Sequence, residues 1–128
     1  MAGRRAWRGT GAVAGALGLL LVAGTAEARC SRTNYTVAPS KNDTVTVEMT
    51  ATSGMDCVVR IATTRRFTVT ARRIAEPAKH GKVTLEGETG FYRSLPGFRG
   101  RDGFVAELSA RGTDGEGTSR IVVNVTVD

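Results

Sequence analysis

Histidine occurs once in this chain, as His80, and cysteine twice, as Cys30 and Cys57. So small a supply excludes most metal and nucleophilic chemistry. A zinc site calls for several histidines or cysteines, and no Cys-x-x-Cys pair is present to act as a redox dithiol. His80 lies in Lys79-His80-Gly81, with no Gly-x-Ser-x-Gly elbow elsewhere, so it reads as a turn residue and not as a general base. Copper held by Met49, Met55 and His80 would lack any motif spacing, and Met49 is phased inward. Asp102 and Glu107 could be drawn as the carboxylate pair of a glycosidase, but they read better as a turn aspartate and an outward strand glutamate. Asp114-Gly115-Glu116 offers too few oxygen ligands for calcium. The Gly-x-Gly steps follow turns and do not lead from a strand into a helix, so a phosphate loop is excluded. Aromatics make up 5% of the chain and the single tryptophan, Trp7, stands near the N-terminus, which leaves no stacking series for nucleic acid. No enzyme, no cofactor and no metal is the expectation.

The first 28 residues read as an export signal, with cleavage expected after Ala28. Arg4, Arg5 and Arg8 form a positive start, Gly11 to Val22 a short apolar run, and Ala26-Glu27-Ala28 a small-x-small cleavage site. The run is too short and too rich in glycine and alanine to span a bilayer stably. Ala6-Trp7-Arg8 fits the twin-arginine consensus poorly. Glu27 and Arg29 stand where a lipoprotein signal before Cys30 would carry a leucine and a small residue. The general secretory route is therefore expected, with a periplasmic or secreted product. Removal of residues 1–28 takes away three arginines and one glutamate, so the net charge falls from +6 to +4. About a hundred residues remain, enough for one domain with one modest core. In an exported chain the two cysteines read as a disulfide, Cys30–Cys57.

What remains is a succession of strands. Thr44-Val45-Thr46-Val47-Glu48-Met49 alternates, with Val45, Val47 and Met49 facing in. Ser53-Gly54 and Met55-Asp56 make a turn before a strand from Cys57 to Ala62. Phe67 to Ala71 alternates again, and Ala71 to Glu76 allows at most a helical turn stopped by Pro77. Asn34 to Val37 reads as an edge strand. Lys82 to Arg93 reads as a hairpin, with Gly87 and Gly90 bracketing its turn. Pro96-Gly97 breaks the second arm, Gly100 and Gly103 allow reversals about Asp102 in an Asx-type turn, and Phe98 and Phe104 plug one core. Asp114-Gly115-Glu116-Gly117 connects a last hairpin, whose closing strand lines one face with Ile121, Val123, Val125 and Val127. The spacing predicts an all-β sandwich of seven or eight antiparallel strands.

The order His80-Gly81-x-Val83, Phe91-Tyr92, Pro96-Gly97-Phe98-x-Gly100-x-Asp102-x-Phe104, Asp114-Gly115-x-Gly117, Val123-x-Val125-x-Val127 resembles the bacterial immunoglobulin-like, cadherin-like repeats, over residues 77–128. Ser94 and Ala106 stand where that family carries a proline and an aromatic, and the Asp-x-Asn-Asp-Asn calcium linker of cadherin repeats is absent from the sequence. The resemblance implies an immunoglobulin-like fold over 29–128. Its fold motif is Pro96, Gly97, Phe98, Gly100, Asp102 and Phe104. It also implies company: such repeats are found in exported adhesins and beside secreted enzymes.

The middle of the chain is basic, with Arg65-Arg66, Arg72-Arg73, Lys79, Lys82, Arg93, Arg99 and Arg101. Adjacent arginines in a strand point to opposite faces, so some must lie in loops. If Lys82, Arg93, Arg99 and Arg101 converge on one end, they form a candidate anion-binding set for acidic polysaccharide or lipid headgroups. The bland alternative is a solvated basic surface that aids solubility. The leading expectation is a small exported binding or structural module whose partner is another envelope protein or a surface glycan. Polyanion binding is the alternative, and a protease inhibitor on an immunoglobulin-like scaffold a third.

Overall fold

A computed structural model describes residues 28–128 of the chain. The expected signal peptide, residues 1–28, lies outside the described residues except for Ala28. Eight strands follow: β1 (Cys30–Arg32), β2 (Thr44–Ala51), β3 (Cys57–Arg60), β4 (Phe67–Glu76), β5 (Gly81–Glu86), β6 (Thr89–Ser94), β7 (Gly100–Gly112) and β8 (Gly115–Val127). They form a five-stranded sheet in the order β1-β2-β8-β7-β4 and a three-stranded sheet in the order β3-β6-β5. Among the described residues the expectation of an all-β fold with seven or eight strands is met.

The alternation seen in the sequence builds the core. Val47, Met49 and Ala51 of β2, Ile121, Val123, Val125 and Val127 of β8, and Phe104, Ala106, Leu108 and Ala110 of β7 are buried on one face of the larger sheet. Cys57, Val59, Ile61 and Tyr92 close the core from the smaller sheet, with Val83 and Leu85 packed at its margin. Each fully buried valine, leucine, isoleucine or methionine among them contributes roughly 1.5–3 kcal/mol. The disulfide Cys30–Cys57 joins β1 to β3, and so links an edge of each sheet.

Several expectations need correction. The sandwich is not wholly antiparallel, because β2 and β8 run parallel in the register Thr44↔Arg120 to Ala51↔Val127. Period two is the same for either direction, so alternation carries no sense of pairing. Residues 34–37 form no strand, and the edge beside β2 is taken instead by Cys30–Arg32. Tyr35 accounts for this. Its hydroxyl donates to Arg60 O and accepts from Ala62 N at 3.0 Å, which draws the segment across the end of β3. Burial raises the Tyr35 pKa above its ordinary value. Residues 71–76 take no helical turn but continue β4, which absorbs irregularities between Val69 and Ala71 and between Ile74 and Glu76. Gly90 lies within β6, opposite Leu85, and the turn is made by Gly87 and Glu88, with Gly87 at φ 60°. Gly100, Asp102 and Gly103 all belong to β7 and form no reversal.

The end of the sandwich holding the β7–β8 turn is closed by a 3-10 turn at Pro39–Lys41. Asp43 Oδ2 accepts from Ala38 N at 2.8 Å, Asp43 Oδ1 from the Ser119 hydroxyl, and Asn42 Oδ1 from Thr118 N at 2.9 Å. The opposite end holds the β2–β3, β4–β5 and β6–β7 loops, with Arg29 and Asp128 beside them.

A candidate anion-binding end

Asp102 organises that second end. Its position on β7 has the parity of Phe104, Ala106 and Leu108, so its carboxylate faces the smaller sheet. Oδ1 accepts from Lys79 N at 3.0 Å, and Oδ2 from His80 N at 3.2 Å and from the Tyr92 hydroxyl at 2.8 Å. One strand carboxylate thus pins the β4–β5 loop and bridges the sheets, a stronger role than the local turn expected for it. Burial first, and then the Asp102 hydrogen bond and charge, push the Tyr92 pKa well above its ordinary value.

The second loop is held against the first. Leu95 N donates to His80 O at 2.9 Å, and Phe98 N to Leu95 O at 3.1 Å. Leu95-Pro96-Gly97-Phe98 is therefore a β-turn, with proline at its second position and Gly97 at φ 84° in the third, as a type II turn demands. The Phe98 ring packs at the core margin and stacks on His80, centroids 4.3 Å apart. Phe98 and Phe104 therefore do share one core, Phe98 from its rim. His80 serves the turn through its backbone and its ring face.

The candidate anion residues share this end but divide between two faces. Lys82 and Arg93 are directly opposite each other on β5 and β6, outward on the smaller sheet. Arg93 Nε donates to Asp56 Oδ1 at 2.8 Å, which raises the guanidinium pKa further and commits this side chain. Arg101 is outward on the larger sheet, opposite Thr126, where with Lys79, His80 and Asn124 it lines a shallow concavity. Arg99 lies exposed between the two faces. Lys79, Lys82, Arg99 and Arg101 have no carboxylate within salt-bridge distance among the described residues, whereas Arg29, Arg60, Arg72, Arg73, Arg93 and Arg120 all do.

Elsewhere Arg32, Lys41, Arg65, Arg66 and Arg111 also have no carboxylate within salt-bridge distance among the described residues, but Asp114 and Glu116, equally unpaired, stand beside Arg66 and opposite Arg111. Arg72 and Arg73 point to opposite faces of β4, as strand geometry requires. Arg72 Nε donates to Ile61 O at 2.6 Å, and Arg73 pairs with Glu107 at 2.6 Å. Glu107 also receives Arg120, whose other amino group reaches Glu76 at 2.8 Å; these acids, Glu76 foremost, raise the Arg120 pKa. Glu107 therefore lies on the outer face and Asp102 on the inner one, so the pair cannot flank one substrate bond. Among the described residues no three histidine, cysteine or acidic side chains cluster as metal ligands, and no helix is long and apolar enough to cross a membrane.

Sequence reasoning missed Asp102's reach to Tyr92 and Lys79 because no local pattern marks a contact between sheets. The chain matches no protein-family model, no curated protein and no solved structure.

Proposed function

We propose that this chain is an exported, immunoglobulin-like binding module of the cell envelope that holds an anionic envelope component, an acidic glycan or a lipid headgroup, by one end of its sandwich. The observation that carries this reading is the set Lys79, Lys82, Arg99 and Arg101, gathered at one end and free of carboxylate partners. The carboxylates nearby are engaged: Asp56 by Arg93, Asp128 by Arg29, and Asp102 by two backbone N–H groups and the Tyr92 hydroxyl. Cations without internal partners keep their full attraction for an external anion, and that attraction weakens with salt. Export is supported by the signal-like first 28 residues and by a disulfide that suits an oxidising compartment.

The test is retention on a sulfated polysaccharide matrix across a salt series. Arg99→Glu with Arg101→Glu should abolish retention at physiological salt. Arg65→Glu with Arg66→Glu, at the other end, should lower it only modestly. Equal losses from the two pairs would show a diffuse basic surface and sink the proposal.

Another envelope protein as partner is a second reading, favoured by the open outer edges of β4 and β5, each of which pairs with one strand only. Crosslinked pull-down from envelope extract should then yield a partner that is lost when a proline is placed on the free edge of β5. Recovery of the same partner by that variant would remove this reading.

A further inference from the structure

The two large apolar side chains most exposed among the described residues, Leu95 at 58% and Met55 at 48%, belong to neighbouring loops at this same end. Isolated exposed apolar residues are ordinary, but these are not isolated. Ser53 Oγ donates to Leu95 O at 3.4 Å, Gly54 N donates to Ser94 Oγ at 2.9 Å, and a Cβ on Gly54 would lie 3.6 Å from Pro96 Cα. The β2–β3 and β6–β7 loops thus form one joined tip. The turn at Leu95–Phe98 holds Leu95 outward in a fixed conformation, so its exposure is built into the fold.

Cations stand at the same end, on both faces of the sandwich. Arg99 follows the turn directly, Arg101 is the second residue of β7, Lys79 precedes β5, and Lys82 lies on the outer face of β5; none has a carboxylate partner among the described residues. Asp56, the acid beside Met55, is neutralised by Arg93 at 2.8 Å. An acidic glycan would need the cations but has no use for exposed leucine and methionine. An anionic bilayer uses both: apolar side chains enter the boundary between headgroups and acyl chains, while lysine and arginine lay their stems along it and reach the phosphates.

We infer that this end of the sandwich docks peripherally on an anionic lipid surface, Leu95 and Met55 inserting and Lys79, Lys82, Arg99 and Arg101 contacting headgroup phosphates. The inference rests on the basic end being a binding end, as proposed above, and adds that the anion is a membrane.

The exported protein would be sedimented with vesicles of phosphatidylcholine alone and of phosphatidylcholine with phosphatidylglycerol, and run in parallel on the sulfated polysaccharide matrix. Binding is expected only to the anionic vesicles and to weaken with salt. Met55→Ser with Leu95→Ser should lower vesicle affinity at least tenfold while leaving polysaccharide retention and the circular dichroism spectrum unchanged, since neither side chain is buried. Polysaccharide retention without vesicle binding would overturn the membrane inference and leave the basic-end reading intact. Vesicle binding that survives the serine pair but is lost on Arg99→Glu with Arg101→Glu would overturn insertion, because headgroup attraction alone would explain it. Failure on both matrices would remove the underlying reading as well.

Discussion

The Tyr92 hydroxyl on β6 donates to Asp102 Oδ2 on β7 at 2.8 Å, a polar tie between the two sheets at a tyrosine with no exposed surface. The same carboxylate holds Lys79 N and His80 N, so a single side chain couples the sheets to the loop that presents the cations.

Hydrogen bonds to charged groups contribute about 1.5–3 kcal/mol, and a buried donor left alone costs a similar amount. Tyr92→Phe should therefore destabilise the domain by about 2 kcal/mol in urea denaturation. Asp102→Ala should cost more, because it strands the buried hydroxyl and frees the β4–β5 loop. The two changes together should cost less than their sum, as members of one network do. Full additivity would show that the contact carries no energy.

Both tyrosines of the chain have pKa values raised above the ordinary 10.0, chiefly by burial. A raised folded-state value means that the fold favours the protonated phenol. Its stabilisation is complete below pH 10.0 and declines as the pH climbs from there towards the folded value. Ultraviolet titration of the native protein should show tyrosinate appearing only above the ordinary range, together with a falling denaturation midpoint. A tyrosine that ionised at its ordinary pKa with the fold intact would contradict the burial argument.

Gly117 has no room for a methyl group. An added Cβ would lie 2.1 Å from Pro39 O and 2.6 Å from Asn42 Oδ1. Gly117→Ala should displace the 3-10 turn and cost about 3 kcal/mol, the upper range for overpacking. Gly87→Ala meets no neighbour but must adopt φ 60°, and should cost only about 1–2 kcal/mol. Thermal denaturation of the two variants would check this order, and a reversal would mean that the Pro39–Asn42 segment yields freely.

Replacing both Cys30 and Cys57 by alanine opens a loop with a sequence separation of 27. The chain-entropy model predicts a loss of roughly 3–4 kcal/mol. The same loss should appear on reduction of the native protein, seen as a lower Tm. Equal Tm values for oxidised and reduced protein would show that β1 is held by its ladder to β2 alone.

Alternation, turn residues and the cysteine pair were enough to read the strand content, the inward faces of β2 and β8, the β5–β6 hairpin and the Cys30–Cys57 bridge, because period-two burial, positive-φ glycine and covalent closure are local or pairwise properties. The parallel pairing of β2 with β8 was not legible: side-chain periodicity is blind to strand direction. Residues 34–37 look like a strand by composition, but the Tyr35 hydroxyl meets Arg60 O and Ala62 N and Thr63 Oγ1 donates to Val37 O, long-range ties that no local pattern marks.

The candidate site divides in the same way. The basic character of residues 79–101 is plain in the sequence, since charge is carried residue by residue. Tertiary structure decided which charges are spent, tying Arg73 and Arg120 to Glu107 and Arg93 to Asp56 while leaving Lys79, Lys82, Arg99 and Arg101 without acids. It also moved Asp102 from an expected turn into a strand, where its carboxylate meets a tyrosine of the other sheet. A charge is fixed by the residue type, but its partner is fixed by where the sheets bring distant segments together.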